Sequence, residues 1–198
     1  MFDHVGPWTE DAYLALDGHD GRAEVVDGTL LIGPDVTAAR AQVVSRLAER
    51  LRSVLPAGLN MITGPPLRLS LDTVLIPDLV ITNMAAPASD DPGAGRRRLL
   101  DATDTLMVIE VVGSDHGLVD RSFKSQVYAR SRIPYALLID HDAPFAVAEM
   151  ILGGRYHEYA AAGVGGRLRL DEPFGLDLDL TALTARADPA DCGTPAAS

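Results

Sequence analysis

One cysteine and one lysine are all that 198 residues contain of either type, and both scarcities exclude something. Cys192 alone can build neither a disulfide framework nor a thiolate metal site, so a reducing cytoplasm is the expected compartment. No apolar stretch approaches the roughly 20 residues needed to cross a bilayer, and no secretory signal is read ahead of Trp8. The histidines, His4, His19, His116, His141 and His157, include no pair at i, i+3 or i, i+4, which leaves a zinc site poorly supported. The phosphate-cradling patterns GxxxxGK and GxGxxG are absent, and Ser114 lies in no GxSxG elbow. Positive charge is short as well. A formal net charge of −11 argues against gripping nucleic acid by bulk electrostatics, although it leaves room for a local basic rim.

What remains is an ordinary globular composition, 47% hydrophobic and 23% charged, in a length that fits one domain burying roughly 70% of its unfolded surface. All basic residues but Lys124 are arginine. An ammonium is compact and changes its proton affinity when buried, which a guanidinium does not, so a lone surviving lysine is a candidate for chemistry as well as for chance. Arg96, Arg97 and Arg98 form one basic cluster, and Arg121, Lys124, Arg130 and Arg132 form another; each reads either as a rim for a polyanion or as a solvated face.

The chain is organised around Leu106 to Lys124, LMVIEVVGSDHGLVDRSFK. Its apolar run reads as a central strand buried on both faces, yet it carries Glu110. An unpaired buried carboxylate costs several kcal/mol or forces protonation, so Glu110 requires a metal ion, an Arg or Lys, or a proton. Beyond Gly113 the pattern turns helical. Val119, Phe123 and Val127 recur every four residues, and Asp120, Lys124 and Tyr128 share the neighbouring stripe.

Elsewhere, PWTEDAYLAL predicts a short helix capped by Thr9 and stopped by Gly18 to Gly21. AEVVDGTLLIG predicts a hairpin turning at Asp27-Gly28, with Glu24 on its first strand. An amphipathic helix is predicted from Thr37 to Leu55, with Val44, Leu47, Leu51 and Leu55 inward and Arg40 among the polar residues. Leu67, Leu69 and Leu71 predict a strand with one wet face. In VLIPDLVIT the proline marks a sheet edge or bulge, which makes Asp78 either a turn residue or a re-aimed carboxylate. Residues 85–98 predict a mobile loop between strands. IPYALLID predicts a buried strand, FAVAEMILGGRYHEYA a hairpin, and RLRLDEPFGLDLDL one short strand and a closing segment before a frayed tail, 185–198.

A carboxylate beside a sheet edge, a second on the central strand and a lysine on the next helix suit a hard divalent cation such as magnesium. The series AEVVDG, IPDLVIT, LMVIEVVGSD, DRSFK, Tyr128 and IPYALLID resembles the Uma-two family of putative restriction endonucleases, within the PD-(D/E)xK superfamily, over residues 9 to 183. The resemblance implies one α/β domain, residues 1–184, with a bent mixed β-sheet flanked by helices. It implies a magnesium-dependent, or manganese-dependent, DNA endonuclease in which Asp78, Glu110 and the Val111 carbonyl hold the metal, Lys124 is catalytic and Glu24 assists. Arg96, Arg97, Arg98, Arg121 and Asp120 are the expected substrate contacts, and a homodimer is expected from two-fold symmetric duplex substrates. The sequence departs from the superfamily at Val112, where a lysine is usual, and from the family at Arg40, where a histidine is expected, and at Ala136-Leu137, where an aromatic pair is common. Two alternatives stand beside this one: a binding or assembly module that kept the fold without the chemistry, and a metal-dependent phosphoesterase acting on another substrate.

Overall fold

The computed structural model describes residues 5–16, 22–33, 36–84, 99–113 and 118–185, the side chains of 118–121 excepted. Several expectations therefore lie outside the described residues: the stop at Gly18 to Gly21, the 85–98 loop with Arg96, Arg97 and Arg98, the side chains of Asp120 and Arg121, and the tail from 186 onward. In chain order come α1 (Glu10–Leu14), β1 (Arg22–Val26), β2 (Thr29–Gly33), α2 (Ala38–Arg52), β3 (Asn60–Thr63), β4 (Leu67–Ser70), β5 (Thr73–Leu75) and β6 (Leu79–Thr82). There follow β7 (Leu100–Asp101), β8 (Thr105–Val112), α3 (Leu118–Arg130), β9 (Tyr135–Asp140), β10 (Phe145–Leu152), β11 (Arg155–Ala162), β12 (Arg167–Leu170), β13 (Leu176–Asp179) and α4 (Leu180–Thr184).

The turn signals act as their chemistry dictates. Thr9 caps α1 by accepting the Ala12 N–H, and Asp27 and Gly28, with φ of 47° and 74°, turn β1 back on β2. Gly153 and Gly154, both at positive φ, do the same between β10 and β11.

The α/β class holds, with mixed sheets and few helices, and the bent mixed sheet that the resemblance implies is divided in two. The strands lie in the orders β2-β1-β5-β4-β7 and β11-β10-β9-β8-β6-β3, with β12 and β13 as a separate pair. The division falls at Pro77-Asp78. Rather than marking an edge, the proline ends β5 in one sheet and delivers the chain into β6, an interior strand of the other between β3 and β8. A residue without an N–H cannot continue the first ladder, and the break lets the chain change sheets.

Strand β8 runs parallel to β9 and antiparallel to β6, and its side chains alternate. Met107, Ile109 and Val111 pack with Leu79 and Ile81 against Val43, Val44, Leu47 and Leu51 of α2. On the opposite face, Val108 and Val80 join Leu67, Leu75, Tyr128 and Ala136.

Two local readings, Arg40 and Leu71, need correction. Arg40 is on the buried side of α2, only 5% exposed, because an ion pair rather than solvent accepts its charge. On α3 it is Lys124 and Tyr128 that are buried, while Phe123 and Val127 are half-exposed. Lys124 faces the charge cluster, while Tyr128 also packs into the apolar cluster of Val80, Val108 and Ala136. Leu71 is 80% exposed, since a register shift between Arg68 and Ser70 ends the alternation of β4 and puts Leu71 in the turn. The closing segment also holds a second strand and a short helix, β13 and α4, where LDLDL pairs Leu176 and Leu178 inward with Leu170 and Leu168 of β12.

Candidate functional site

Register brings the two central carboxylates together. Leu79 of β6 lies opposite Ile109 of β8, so one step further Asp78 meets Glu110 on the face turned toward α3 and the other sheet. Glu24 arrives from β1, which pairs with β5, and its Oε1 accepts the Ile76 N–H at 2.8 Å, just before the sheet crossover. Arg22, two residues earlier on the same strand face, comes with it. Lys124 and Tyr128, one helical turn apart, descend from α3.

Asp78 is saturated. Arg40 grips it through Nε to Oδ1 at 3.0 Å and Nη2 to Oδ2 at 2.8 Å; Arg22 Nη1 adds a bond to Oδ1 at 3.3 Å, and the Val111 N–H one to Oδ2 at 2.6 Å. Glu110 accepts the Tyr128 hydroxyl on Oε1 at 2.6 Å, with Lys124 Nζ at 3.6 Å. Its Oε2 is approached by the guanidinium nitrogens of Arg40 and Arg22 at 3.6 and 3.8 Å, beyond hydrogen-bonding range. Lys124 Nζ is 2.8 Å from Glu24 Oε1. Among the described residues three carboxylates thus meet three cations, each nearly inaccessible. Removing any single member leaves a buried charge uncompensated, which costs about 3–5 kcal/mol in comparable systems.

Burial pushes the Glu110 carboxyl above its ordinary range, with Lys124 and Arg22 pulling the other way and Asp78 and Glu24 reinforcing the rise. A carboxylate so placed holds a proton more readily, as a general base must. For Lys124 burial acts to lower the ammonium, but the charges of Glu110 and Glu24 outweigh it and leave it raised. Tyr128 is held well above its ordinary value by burial and by Glu110, so its hydroxyl stays a donor.

A pocket of about 200 Å³ opens beside the cluster. Glu110, Glu24, Lys124, Tyr128, Arg22 and Arg40 form its polar wall, and Val108, Val112 and Leu137 contribute to an apolar one. Asp78 lines a different hollow, shared with Arg22, Val44 and Pro77.

The magnesium implied by the resemblance does not fit this arrangement. A cation bridging Asp78 and Glu110 needs lone pairs on both, whereas each Asp78 oxygen already accepts two hydrogen bonds and Arg40 Nη2 occupies the position between the carboxylates. Val111 meets Asp78 through its N–H. Among the described residues no group of three or more His, Cys, Asp or Glu is arranged to hold a metal ion.

Of the residues predicted from sequence, Asp78, Glu110, Glu24, Lys124 and the Val111 backbone come together. Arg22 and Arg40 were missed as site residues. A signal existed for Arg40: it stands in the first turn of α2, where the helix dipole opposes a cation by about 0.3–1 kcal/mol, so some anion had to hold it there. For Arg22 the hint was its i, i+2 relation to Glu24.

The fold has a counterpart in a solved structure, a putative nuclease belonging to DUF820 from Anabaena variabilis. It is 16% identical, the match covers 90% of this chain and 98% of that one, and the TM-score of 0.70 shows the shared fold. No curated protein matches the chain. Among the described residues no helix is long and apolar enough to cross a membrane. The Uma2 (Uma-two) family model, described as putative restriction endonuclease, matches residues 10–182, nearly the whole length, and the chain belongs to that family.

Proposed function

We propose that this protein is a nuclease that hydrolyses phosphodiester bonds of DNA, with Glu110 and Lys124 as the reacting pair. One observation carries the reading: the chain's single lysine is buried against Glu24 and Glu110, 100 residues from the former, on the helix that follows the central strand. A solvated ammonium would be cheaper anywhere on the surface. Membership in a family of putative restriction endonucleases supports the substrate class.

In this reading water attacks phosphorus in line with the leaving 3′ oxygen. The new P–O bond forms as the P–O3′ bond breaks; the water proton passes to Glu110 Oε2, and the leaving oxygen takes a proton from solvent. Lys124 turns from Glu24 toward a non-bridging oxygen and stabilises its growing charge. Arg22 lines the pocket, and its Nε and Nη2 face Glu24 and Glu110 at 3.4 and 3.8 Å, so its charge adds to the positive field a phosphate meets there. Arg96, Arg97, Arg98 and Arg121 supply backbone contacts, and a homodimer brings two such centres to the two strands of a duplex.

A second reading, a nuclease fold retained for binding without cleavage, is favoured by the saturation of Asp78. Nicking of supercoiled plasmid separates the two. The parent protein should nick it, and Lys124→Met should lower the rate by about 10²–10³, the usual effect of removing one charge-stabilising donor. Lys124→Arg should not restore it, because a planar guanidinium places its charge differently. A parent protein that binds DNA in a mobility shift yet leaves the plasmid intact, with magnesium, manganese or EDTA present, decides for the binding module.

A further inference from the structure

We propose that Arg40 is the built-in counter-cation of this site, standing where a divalent ion would have to bridge Asp78 and Glu110, so that the protein binds no divalent cation there and acts without one. The inference concerns the same site as the nuclease reading, but its test reads metal binding rather than cleavage, so the two fail separately.

Three observations converge. The first is position: Arg40 Nη2 lies 2.8 Å from Asp78 Oδ2 and 3.6 Å from Glu110 Oε2, so a single nitrogen hydrogen-bonds the first carboxylate and faces the second. The second is fit. The contact is a two-pronged one, Nε and Nη2 each on its own oxygen, the geometry in which a guanidinium matches a carboxylate best. The third is charge balance. Among the described residues Arg22, Arg40 and Lys124 match Asp78, Glu110 and Glu24 charge for charge, so a dication entering between Asp78 and Glu110 meets a guanidinium at contact distance. Nor can Arg40 swing aside at little expense. It is 5% exposed on the buried side of α2, and leaving would strand a charge on each side of the broken pair.

Arg40 thereby does part of what a metal would do for the carboxylates, fixing Asp78 through both oxygens while facing Glu110, but it offers only N–H donors and no open coordination position. A guanidinium cannot lower the pKa of a bound water as a dication does, which leaves proton transfer to Glu110.

The test is calorimetric titration of the full chain with manganese, and separately with magnesium, beside Mn2+ electron paramagnetic resonance. The parent protein should show no bound ion. Arg40→His, which exchanges the bidentate donor for a neutral ligand and raises the net negative charge, should bind one Mn2+ per chain with micromolar to millimolar affinity, and adding Glu110→Gln should abolish it. Should Arg40→His not fold by itself, recovery of a cooperative melt on adding Mn2+, absent from the parent, reads the same event. Manganese binding by the parent that Asp78→Asn removes overturns the proposal. So does an Arg40→His variant that folds and remains silent, because exclusion would then not be due to Arg40.

Discussion

Strand β8 has two faces, and they are built by different physics. Met107, Ile109 and Val111 enter an apolar core against α2, where shape and volume decide what fits. Val108, Glu110 and Val112, on the other face, belong to the half of the molecule that holds Lys124, Tyr128 and the arginines. Packing tolerates rearrangement there, but charge does not: each ion is stable only because the others are present. A core of the first kind fails gradually, residue by residue. The second fails as a unit, and its members rescue each other.

That difference is open to direct attack. The largest loss should follow Arg40→Ala, about 3–5 kcal/mol by urea unfolding, since Asp78 loses both prongs of its main partner. Combining it with Asp78→Ala should return much of that loss, a positive coupling that a purely packed site cannot show. Ile109→Ala, on the apolar face, should lose about 2–5 kcal/mol by cavity formation, and no second truncation among its neighbours should recover it. Additive behaviour of the Arg40 and Asp78 changes would erase the distinction between the faces.

Smaller effects sharpen it. Tyr128→Phe removes the 2.6 Å bond to Glu110 and should cost about 1–3 kcal/mol, the penalty of an acceptor left unsatisfied in a buried setting. Because folding raises the Glu110 carboxyl above its unfolded value, its contribution is fully present at low pH. It is lost as pH climbs from the ordinary glutamate range through the raised value. Urea titrations across that window should show the decline in the parent and none of it in Glu110→Gln. The smallest change belongs to the surface. Arg68 joins Glu10 and Asp101 at 2.8 and 2.6 Å but is about a third exposed, so Arg68→Ala should cost under about 1 kcal/mol and the loss should vanish in high salt.

The apolar face was legible from the sequence, and the charged one only by halves. A continuous apolar run, an Asp-Gly turn and three- and four-residue spacing are local signals, and they placed β8, the β1–β2 hairpin and the inward side of α2 where they are. Glu110 announced itself because a carboxylate in a Val/Ile run has no local explanation. Its partners did not, since Arg22 and Arg40 look like any surface arginine until tertiary structure delivers them. Lys124 drew attention by its rarity, and four-residue spacing put it on one stripe with Tyr128, which is how the two reach Glu110 together. The crossover at Pro77 was likewise visible as an interruption, while its destination, a second sheet, depended on pairings between segments distant in sequence.

The 100-residue separation of Lys124 from Glu24 also has a kinetic side. Closing so long a loop carries an entropic toll that neither residue can meet by itself, so the pair forms only after both sheets have paired and docked. During synthesis the hairpin bearing Glu24 waits, with Arg22 beside it, while everything through α3 is still being made. The Arg22, Arg40, Asp78 and Glu24 contacts all lie within residues 22–78, so in a growing chain the cations and carboxylates of that half precede the lysine that completes the centre.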